Sequence, residues 1–450
     1  MCKNTPKRSQ PGPSISNGKP SNASPASSSS MGMIVNFVTA AYTCGFVSFR
    51  VMEIASLIAG FPTQVLTSLV ACCIVLNKAT KVPGSLIVIL TMAAFVWITD
   101  DYILDPVVIP SLSSSSQQQQ AMVVVVTGAN SGVGFETAKA LASTGILTVI
   151  MGCRSVSKCE AAAETIRKSQ RQSTAAHSSS SGGGGNHNVI PLPLDLSNFD
   201  SVFKFVDLVQ ERLPQRNVNV LFNNAGYVPV AVESANAYGL DPSFTSMHLS
   251  HFLLAELLVK RNPELRLVAT SSGTHHTCAA PAVLPKIVND LFLTNPPSCI
   301  DHDYLTNRMY SAVNEDKYIV AKVANVLHVS EFSKRHPQST ALAIDLGWVG
   351  TSIQPWMSGQ ITPTSLGWMR SASVGIYPIL QAILLEQPAK DRDWSTQGGV
   401  TMDPLGNLRE PFSFPLWRGD ASPEVMKQVG RELWKKSTEI LQQHGCTVCQ

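Results

Sequence analysis

Residues 123–134 read VVVVTGANSGVG, and this stretch decides the fold. Four consecutive valines are typical of a strand that is buried on both faces, and glycines follow at 128, 132 and 134. Residues 135–143 then have the apolar spacing of a helix. A strand that breaks into a glycine-rich turn and opens a helix brings free N–H groups and the positive end of a helix dipole together. We predict a phosphate-binding turn, although glycine-rich turns also arise for steric reasons.

Short β-branched runs and helical stretches alternate over the rest of this region. The predicted strands are 123–127, 147–152, 189–192, 218–222, 265–270 and 341–345, and the predicted helices are 133–143, 158–168, 197–213, 249–260 and 316–334. The polar, glycine-rich insert 169–188 is interpreted as a surface loop. This order predicts an α/β fold, a doubly wound parallel sheet that binds ligands at the carboxyl ends of its strands.

The N-terminal part has a different composition. Residues 1–30 are polar and are predicted to be a disordered tail. Within 31–110, the apolar runs 33–49, 54–76 and 82–99 approach or exceed the length of a membrane helix. Residues 111–120, SLSSSSQQQQ, form a low-complexity linker before the domain at 121–445. We therefore predict a membrane region with two or three transmembrane helices. Basic residues before and between the runs are expected on the cytoplasmic side of the membrane. The domain would then face the lumen if three runs span the membrane, and the cytoplasm if two do.

Charge and cysteine content exclude some classes of protein. The formal net charge of +3 gives no nucleic-acid footprint. The ten cysteines are scattered, without the density of a disulfide scaffold. Cys446 and Cys449 lie close to the C-terminus and are interpreted as a reduced pair leading into the tail 446–450, and no metal site is assigned.

The end of the second predicted strand indicates the cofactor. An acidic residue there binds the ribose hydroxyl of NAD, whereas an arginine accommodates the 2′-phosphate of NADP. The strand ends in Gly152-Cys153-Arg154, and no acid occurs before Glu160. We infer NADP(H), the alternative being that Arg154 is a surface charge.

Three side chains suggest chemistry. Tyr318 and Lys322 are one helical turn apart, so an ammonium can bring the pKa of a phenol toward the working range. Ser272 closes the fifth strand, where a hydroxyl can bind a substrate oxygen. A solvated Tyr/Lys pair and turn-forming serines are the alternatives.

Six motifs follow one another along the chain: TGANSGVG, Asp195-Leu-Ser, NNAG at 223–226, Ser272, Tyr318-x-x-x-Lys322 and Ala324-Asn325. In this the chain resembles the short-chain dehydrogenase/reductase family, and VIMGCRSVSK and HLSHFLLAELL resemble its retinol-dehydrogenase-like branch. The resemblance implies a Rossmann fold, hydride transfer, Tyr318 as proton donor or acceptor, Lys322 on the nicotinamide ribose and Ser272 orienting the substrate. With the glycine turn and Arg154, the implied cofactor-binding residues are Gly128, Asn130, Ser131, Gly132, Val133, Gly134, Arg154, Asp195, Leu196, Asn223, Ala225, Gly226, Tyr318 and Lys322.

The chain departs from the family pattern at three places. Met247 stands where relatives carry an asparagine that supports a proton relay, so that relay is altered or His248 replaces it. The segment between Ser272 and Tyr318 is long, and its loop 277–315 is expected over the substrate pocket. Leu346 replaces a proline beside the nicotinamide, which is expected to loosen a turn.

The C-terminal part completes the prediction. Residues 352–420 are expected to form an apolar substrate cover. A final helix begins at Ser422-Pro423, with Val425, Val429 and Leu433 on one face.

The favoured interpretation is a membrane-anchored, NADP(H)-dependent enzyme acting on a lipophilic alcohol or carbonyl, such as a retinoid or sterol. The expected partners are that small molecule and the lipid bilayer, with a homodimer as a candidate assembly and no nucleic acid. The endoplasmic reticulum membrane is favoured over a plastid membrane. A protochlorophyllide-reductase-like plastid enzyme and a non-catalytic membrane scaffold with a dinucleotide-binding fold remain alternatives.

Overall fold

The computed structural model describes residues 122–177, 188–229, 234–272, 315–347, 349–351, 353, 370–384, 401–402, 408–409 and 423–449. The predicted tail, the three apolar runs, the linker and most of the loop 277–315 and of the cover 352–420 lie outside these residues. Among the helices in the described ranges, none has both the length and the hydropathy needed to cross a bilayer.

The described strands are β1 Val123–Thr127, β2 Thr148–Cys153, β3 Val189–Pro193, β4 Val220–Asn223, β5 Arg266–Thr270, β6 Thr340–Ile344, β7 Val349–Gly350, β8 Arg370–Ser371, β9 Thr401–Met402 and β10 Leu408–Arg409. The main sheet has the order β10-β9-β6-β5-β4-β1-β2-β3. Seven of its strands are parallel, and β10 pairs antiparallel with β9. This confirms the doubly wound parallel sheet.

The longer helices are α1 Gly132–Ser143, α2 Val156–His177, α3 Phe199–Arg212, α4 Ser250–Val259, α5 Glu315–Arg335, α6 Tyr377–Leu384 and α7 Pro423–Gln443. A short turn, Pro242–Phe244, leads into a π-helical turn, Thr245–Leu249, that continues as α4. Another short turn, Ala372–Gly375, precedes α6.

The valines of β1 show how the sheet is covered. Val123 and Val125 belong to an apolar cluster with residues of α3, α4, α5 and α7. Val124 and Val126 belong to a second cluster with residues of α1, α2 and α6. Because both faces of the strand are buried, an unbroken valine run replaces the usual polar–apolar alternation.

Two expectations are wrong in this part of the chain. Residues 169–177 continue α2 instead of forming a loop, and Gln170 is buried with its Nε2 donating to the Ala142 carbonyl. Polar contacts of this kind, which lie outside the apolar face of the helix, therefore support the extension of α2. Cys446 and Cys449 form a disulfide instead of free thiols, and both belong to the first apolar cluster. The residues after α7 turn back toward its last turn, where the Gln442 Nε2 donates to the Cys449 carbonyl at 2.9 Å, and this brings the two sulfurs together.

A second disulfide joins Cys153, the last residue of β2, to Cys159 in the first turns of α2. Sequence spacing gave no signal for this pair. Val429 and Leu433 are buried as predicted, while the side chain of Val425 lies outside the described set.

Candidate active site

The glycine turn after β1 has the backbone that its sequence predicts. Gly128 and Gly132 have φ values of 65° and 56°, which favour glycine. A Cβ on Gly134 would lie 2.5 Å from both the Asn224 Nδ2 and the Gly128 carbonyl oxygen, so only glycine fits there. The turn is fixed to the neighbouring strand by a 2.8 Å bond from the Gly128 N–H to the Gly152 carbonyl.

Thr127 ties this turn to the NNAG segment after β4. Its Oγ1 accepts from the backbone N–H groups of Asn224 and Ala225 at 2.9 and 3.0 Å. The Asn224 amide in turn donates to the Thr127 carbonyl at 2.9 Å. The segments 127–134 and 223–226 therefore form one edge of the sheet, at the carboxyl ends of adjacent parallel strands.

This edge fits a dinucleotide. Helix α1 begins after Ser131, whose side chain makes no capping bond, so its first N–H groups are not covered by that hydroxyl. Asn223 is 2% exposed, and its Oδ1 has no hydrogen-bond partner. A buried acceptor without a donor is costly, and a ligand hydroxyl or amine at the strand ends would satisfy it.

The other predicted cofactor residues lie near the same edge. Arg154 directly follows β2, and its side chain is exposed. Asp195 follows β3; its Oδ1 accepts from the Ser197 N–H at 3.0 Å and from the Ser197 hydroxyl at 2.7 Å. Leu196 is buried, and its carbonyl accepts from the Ser250 hydroxyl at 2.6 Å. Gly226 is exposed next to Lys322: a Cβ built on it would lie 3.7 Å from Nζ.

Ser272, Tyr318 and Lys322 lie together near the end of β5, which is two strands from β1 in the sheet. Ser272 follows β5, and its side chain is hydrogen-bonded to the Tyr318 hydroxyl. Lys322 lies one turn further along α5, with Nζ 5.2 Å from the centre of the Tyr318 ring. Helix periodicity had placed the Tyr and Lys on one face; the sheet brings the serine to them.

Lys322 is buried in a polar niche. Its Nζ donates to the Thr270 carbonyl at 3.0 Å, and the Asn325 amide donates to the same oxygen at 3.2 Å. Burial lowers the pKa of Lys322 to about 8. The ammonium lies over the face of the phenol ring while it donates to this carbonyl.

The pKa of Tyr318 is raised above its ordinary value, first by burial and next by the negative charge of Asp345, while the bond to Ser272 opposes the rise. The sequence had suggested a pKa lowered by Lys322. Asp345 is a charged residue near this site that the sequence analysis did not name; its position as the last residue of the predicted strand 341–345 was the available signal.

Two departures from the family pattern now have a structural context. Met247 is fully buried in the π-helical turn, and its Sδ would lie 3.4 Å from a Cβ on Gly226. His248 points elsewhere, to Asn325 Oδ1 at 3.3 Å and Ser437 Oγ at 3.5 Å, and burial lowers its pKa to about 4. Within the described residues, His248 is connected to Lys322 through Asn325 and the Thr270 carbonyl, which accepts from both Asn325 and Lys322.

The turn with Leu346 has supporting contacts of its own. Gly347 has a φ of 64°, and its N–H donates to Asp345 Oδ1 at 3.0 Å. Leu346 packs against the second apolar cluster. A side-chain hydrogen bond and apolar packing therefore support this turn, where relatives have a proline ring that restricts the backbone.

Comparison with known proteins gives the relatives of this chain. The family model for short chain dehydrogenases matches residues 122–275. Human retinol dehydrogenase 13 is 29% identical over 319 residues, which cover 70% of this chain and 83% of that protein. The chloroplastic protochlorophyllide reductase of Cucumis sativus is 34% identical over 227 residues, which cover 48% of this chain and 52% of that one. The chain thus spans about half the length of that relative.

Among solved structures, salutaridine reductase from Papaver somniferum shares 18% identity with a TM-score of 0.41, covering 60% of this chain and 97% of that one. These matches place residues 122–275 in the short-chain dehydrogenase/reductase family. The likeness to retinol dehydrogenases expected from its motifs is confirmed.

Proposed function

We propose that the chain is an NADP(H)-dependent oxidoreductase that interconverts a lipophilic alcohol and its carbonyl, and that residues 31–110 hold it at a membrane. The observation that carries the proposal is the hydrogen-bonded pair Ser272–Tyr318 with Lys322 beside it, at the same sheet edge as the glycine turn. A hydroxyl, a phenol and an ammonium in this arrangement suit proton transfer to or from a substrate oxygen.

Each side chain has a distinct task in this mechanism. Ser272 holds the substrate oxygen by a hydrogen bond. Tyr318 gives its hydroxyl proton to that oxygen during reduction and takes it back during oxidation. Lys322 and Asn325 share the Thr270 carbonyl, which fixes the ammonium next to the phenol ring. A nicotinamide dinucleotide, which the glycine turn 128–134 and the NNAG segment 223–226 would hold, would supply or accept the hydride.

Arg154 supports the choice of NADP(H). It follows β2 at the position where an acidic side chain would favour NAD, and its exposed guanidinium suits a phosphate monoester.

The enzymatic proposal is tested with the purified chain, NADPH or NADH, and a panel of apolar aldehydes and ketones. We expect NADPH consumption with at least one carbonyl and a Tyr318→Phe loss of roughly 100-fold or more, since general acid catalysis contributes that much. Tyr377→Phe, which removes a hydroxyl bonded to Gln381 on α6, is the matched control and should retain activity. NADPH binding without turnover, unchanged by Tyr318→Phe, would instead favour a scaffold.

The likeness to protochlorophyllide reductase favours one second candidate. The chain shares 34% identity with the cucumber protein, over 52% of that protein's length. Light-dependent loss of protochlorophyllide in the same assay would favour this plastid function. Consumption of NADPH with apolar carbonyls in the dark would favour the first proposal.

A lipophilic substrate explains the proposed membrane region, because such a substrate dissolves in the bilayer and the enzyme would bind it there. We place the protein in the endoplasmic reticulum membrane, with a plastid membrane as the alternative, and leave its assembly as a monomer or homodimer to measurement. Protease protection of vesicles, with the tail and the domain tagged separately, distinguishes two spans from three. Recovery of the full chain in the soluble fraction would contradict the anchor.

A further inference from the structure

His251 of α4 connects two parts of the site that are far apart in the sequence. Its side chain is 2% exposed. The ring Nε2 lies 2.9 Å from the hydroxyl oxygen of Thr127, the last residue of β1. The ring Nδ1 lies 3.1 Å from the carbonyl oxygen of Met247 in the π-helical turn. The imidazole therefore joins the start of the glycine turn to the turn that precedes α4.

The two hydrogen bonds of this imidazole have fixed directions. A carbonyl oxygen only accepts, so Nδ1 carries the hydrogen and donates to Met247. Burial lowers the pKa of His251 to about 3, so the ring is neutral near pH 7 and its Nε2 is an acceptor. The Thr127 hydroxyl therefore donates to Nε2.

This donation orients the Thr127 hydroxyl toward the NNAG segment. A hydroxyl has one proton and two acceptor lone pairs, and the oxygen of Thr127 accepts from the Asn224 and Ala225 N–H groups at 2.9 and 3.0 Å. The Phe222 carbonyl also lies within reach of the proton, but at 3.4 Å. The shorter contact to His251, at 2.9 Å, is the stronger hydrogen bond and leaves both lone pairs for the NNAG segment.

The main chain of His251 contacts the same segment, because its carbonyl accepts from the Asn223 Nδ2 at 3.5 Å. On the other side of the ring, Met247 belongs to a turn that lies beside Lys322. The Met247 Sδ and the Lys322 Nζ lie 3.4 and 3.7 Å from a Cβ built on Gly226, the last residue of NNAG. A displacement of the π-helical turn would therefore change the position of the NNAG segment relative to Lys322.

We propose that His251 is a positioning residue that couples dinucleotide binding to catalysis, because it holds the NNAG segment through Thr127 and the π-helical turn through Met247. The inference rests on the proposed function and adds a residue to it outside the Ser272, Tyr318 and Lys322 group. Both ring nitrogens of His251 are bonded to protein atoms. His251 therefore acts through its two neighbours and takes no part in proton transfer.

Two variants separate the two contacts of the imidazole. His251→Asn keeps a donor near the position of Nδ1 and loses the acceptor for Thr127. His251→Gln keeps an acceptor near the position of Nε2 and loses the donor to Met247. We expect His251→Asn to raise the Kd of NADPH roughly fivefold, the effect of losing one neutral hydrogen bond. His251→Gln should leave this Kd close to the wild-type value and lower kcat instead.

His328→Leu is the matched control. It removes another buried histidine, on α5, whose Nε2 has no hydrogen-bond partner among the described residues. Kd and kcat should both stay at their wild-type values. A role of His251 confined to packing would lower stability without separating Kd from kcat, so Kd and kcat that change together in both His251 variants would overturn the inference.

A thermodynamic cycle tests the contact without cofactor or substrate. Urea unfolding is measured for Thr127→Val, His251→Asn and the double variant. We expect the double variant to lose less stability than the sum of the single losses, because both substitutions remove the same hydrogen bond. If the chain binds neither NADPH nor NADH, the proposed function fails while this cycle still tests the contact. Additive losses would overturn the inference; His251→Leu replaces His251→Asn if the latter does not fold.

Discussion

At the scale of single residues, the proposed preference for NADP(H) depends on the charge of Arg154. Arg154→Ala should weaken NADPH binding by roughly tenfold to 100-fold, because a hydrogen bond to a charged group contributes about 1.5–3 kcal/mol. NADH binding should change little, since it lacks the 2′-phosphate. Fluorescence titration with both cofactors measures this. Arg171→Ala, which removes an exposed guanidinium from the far part of α2, is the control. An equal loss of affinity for both cofactors would show that Arg154 does not bind the 2′-phosphate.

Burial of the charged Lys322 side chain lowers the stability of the fold. Its folded-state pKa of about 8 is below the ordinary value of 10.5, so the unfolded chain binds more protons between these two values. The free energy of unfolding contributed by this group therefore rises with pH across that window. At pH 7 the buried ammonium destabilises the fold by roughly 3 kcal/mol, at about 1.36 kcal/mol per pKa unit.

Lys322→Met should consequently be more stable than the wild type at pH 7, by about 2 kcal/mol after loss of a hydrogen bond of about 1 kcal/mol. The Thr270 carbonyl keeps its bond from Asn325, so no acceptor is left unpaired. Urea unfolding at several pH values measures the difference, which should shrink toward pH 10. A difference independent of pH would refute the explanation. Lys139→Met, at a side chain 46% exposed, is the control.

At the scale of elements, one buried ion pair fixes the start of α5 against the turn before α4. Lys317 and Asp241 are 6% and 1% exposed and lie 2.8 Å apart. Asp241 also accepts from the Phe244 N–H at 2.8 Å and so caps the short turn that leads into the π-helical segment. Because Tyr318 is the next residue after Lys317, this contact helps to hold the phenol in place.

Lys317→Met should therefore lower the free energy of unfolding by about 3–5 kcal/mol, since it leaves a buried carboxylate without its partner. Asp241→Asn combined with Lys317→Met should recover part of the loss, because the amide keeps the cap and carries no charge. Denaturant unfolding of both single variants and the double variant measures the coupling. Strictly additive losses would mean that the two groups do not interact.

At the scale of the whole molecule, α7 covers the helices that carry the site. Trp434 is 2% exposed, with its ring centre 4.6 Å from that of Phe252 on α4. The Arg335 guanidinium of α5 lies 4.8 Å from the same indole. Ser437, one turn further along, reaches His248 in the π-helical turn. The C-terminal helix thus joins α4, α5 and the turn beside Lys322 in one apolar cluster.

Trp434→Ala should cost about 3–5 kcal/mol of unfolding free energy, the usual range for deleting a large buried aromatic side chain. The loss should be cooperative, with NADPH binding and helical content disappearing at the same denaturant concentration. Lys435→Ala, at a side chain 76% exposed on the same helix, should be close to neutral. Loss of α7 alone, with the sheet and NADPH binding intact, would show that the helix is an independent unit.

Local patterns were sufficient for much of the architecture. The valine run, the glycine spacing and the one-turn separation of Tyr318 and Lys322 depend on neighbouring residues, so β1, its turn and one face of α5 could be predicted from sequence. The extension of α2 through residues 169–177 was missed because the polar composition hides contacts such as that of Gln170 with Ala142.

The sequence by itself determined the order of β1 to β6 and of the helices between them, the glycine turn, and the Ser, Tyr and Lys, because each depends on short-range spacing. Only the tertiary structure decided what surrounds them. The negative charge of Asp345 raises the pKa of Tyr318 because β6 is paired with β5 and ends at the same edge of the sheet. His248 turns toward Ser437 because α7 packs there. These contacts join residues far apart in the chain, and burial and charge act through space. The protonation state of the phenol is therefore a property of the fold and not of the Tyr–Lys spacing.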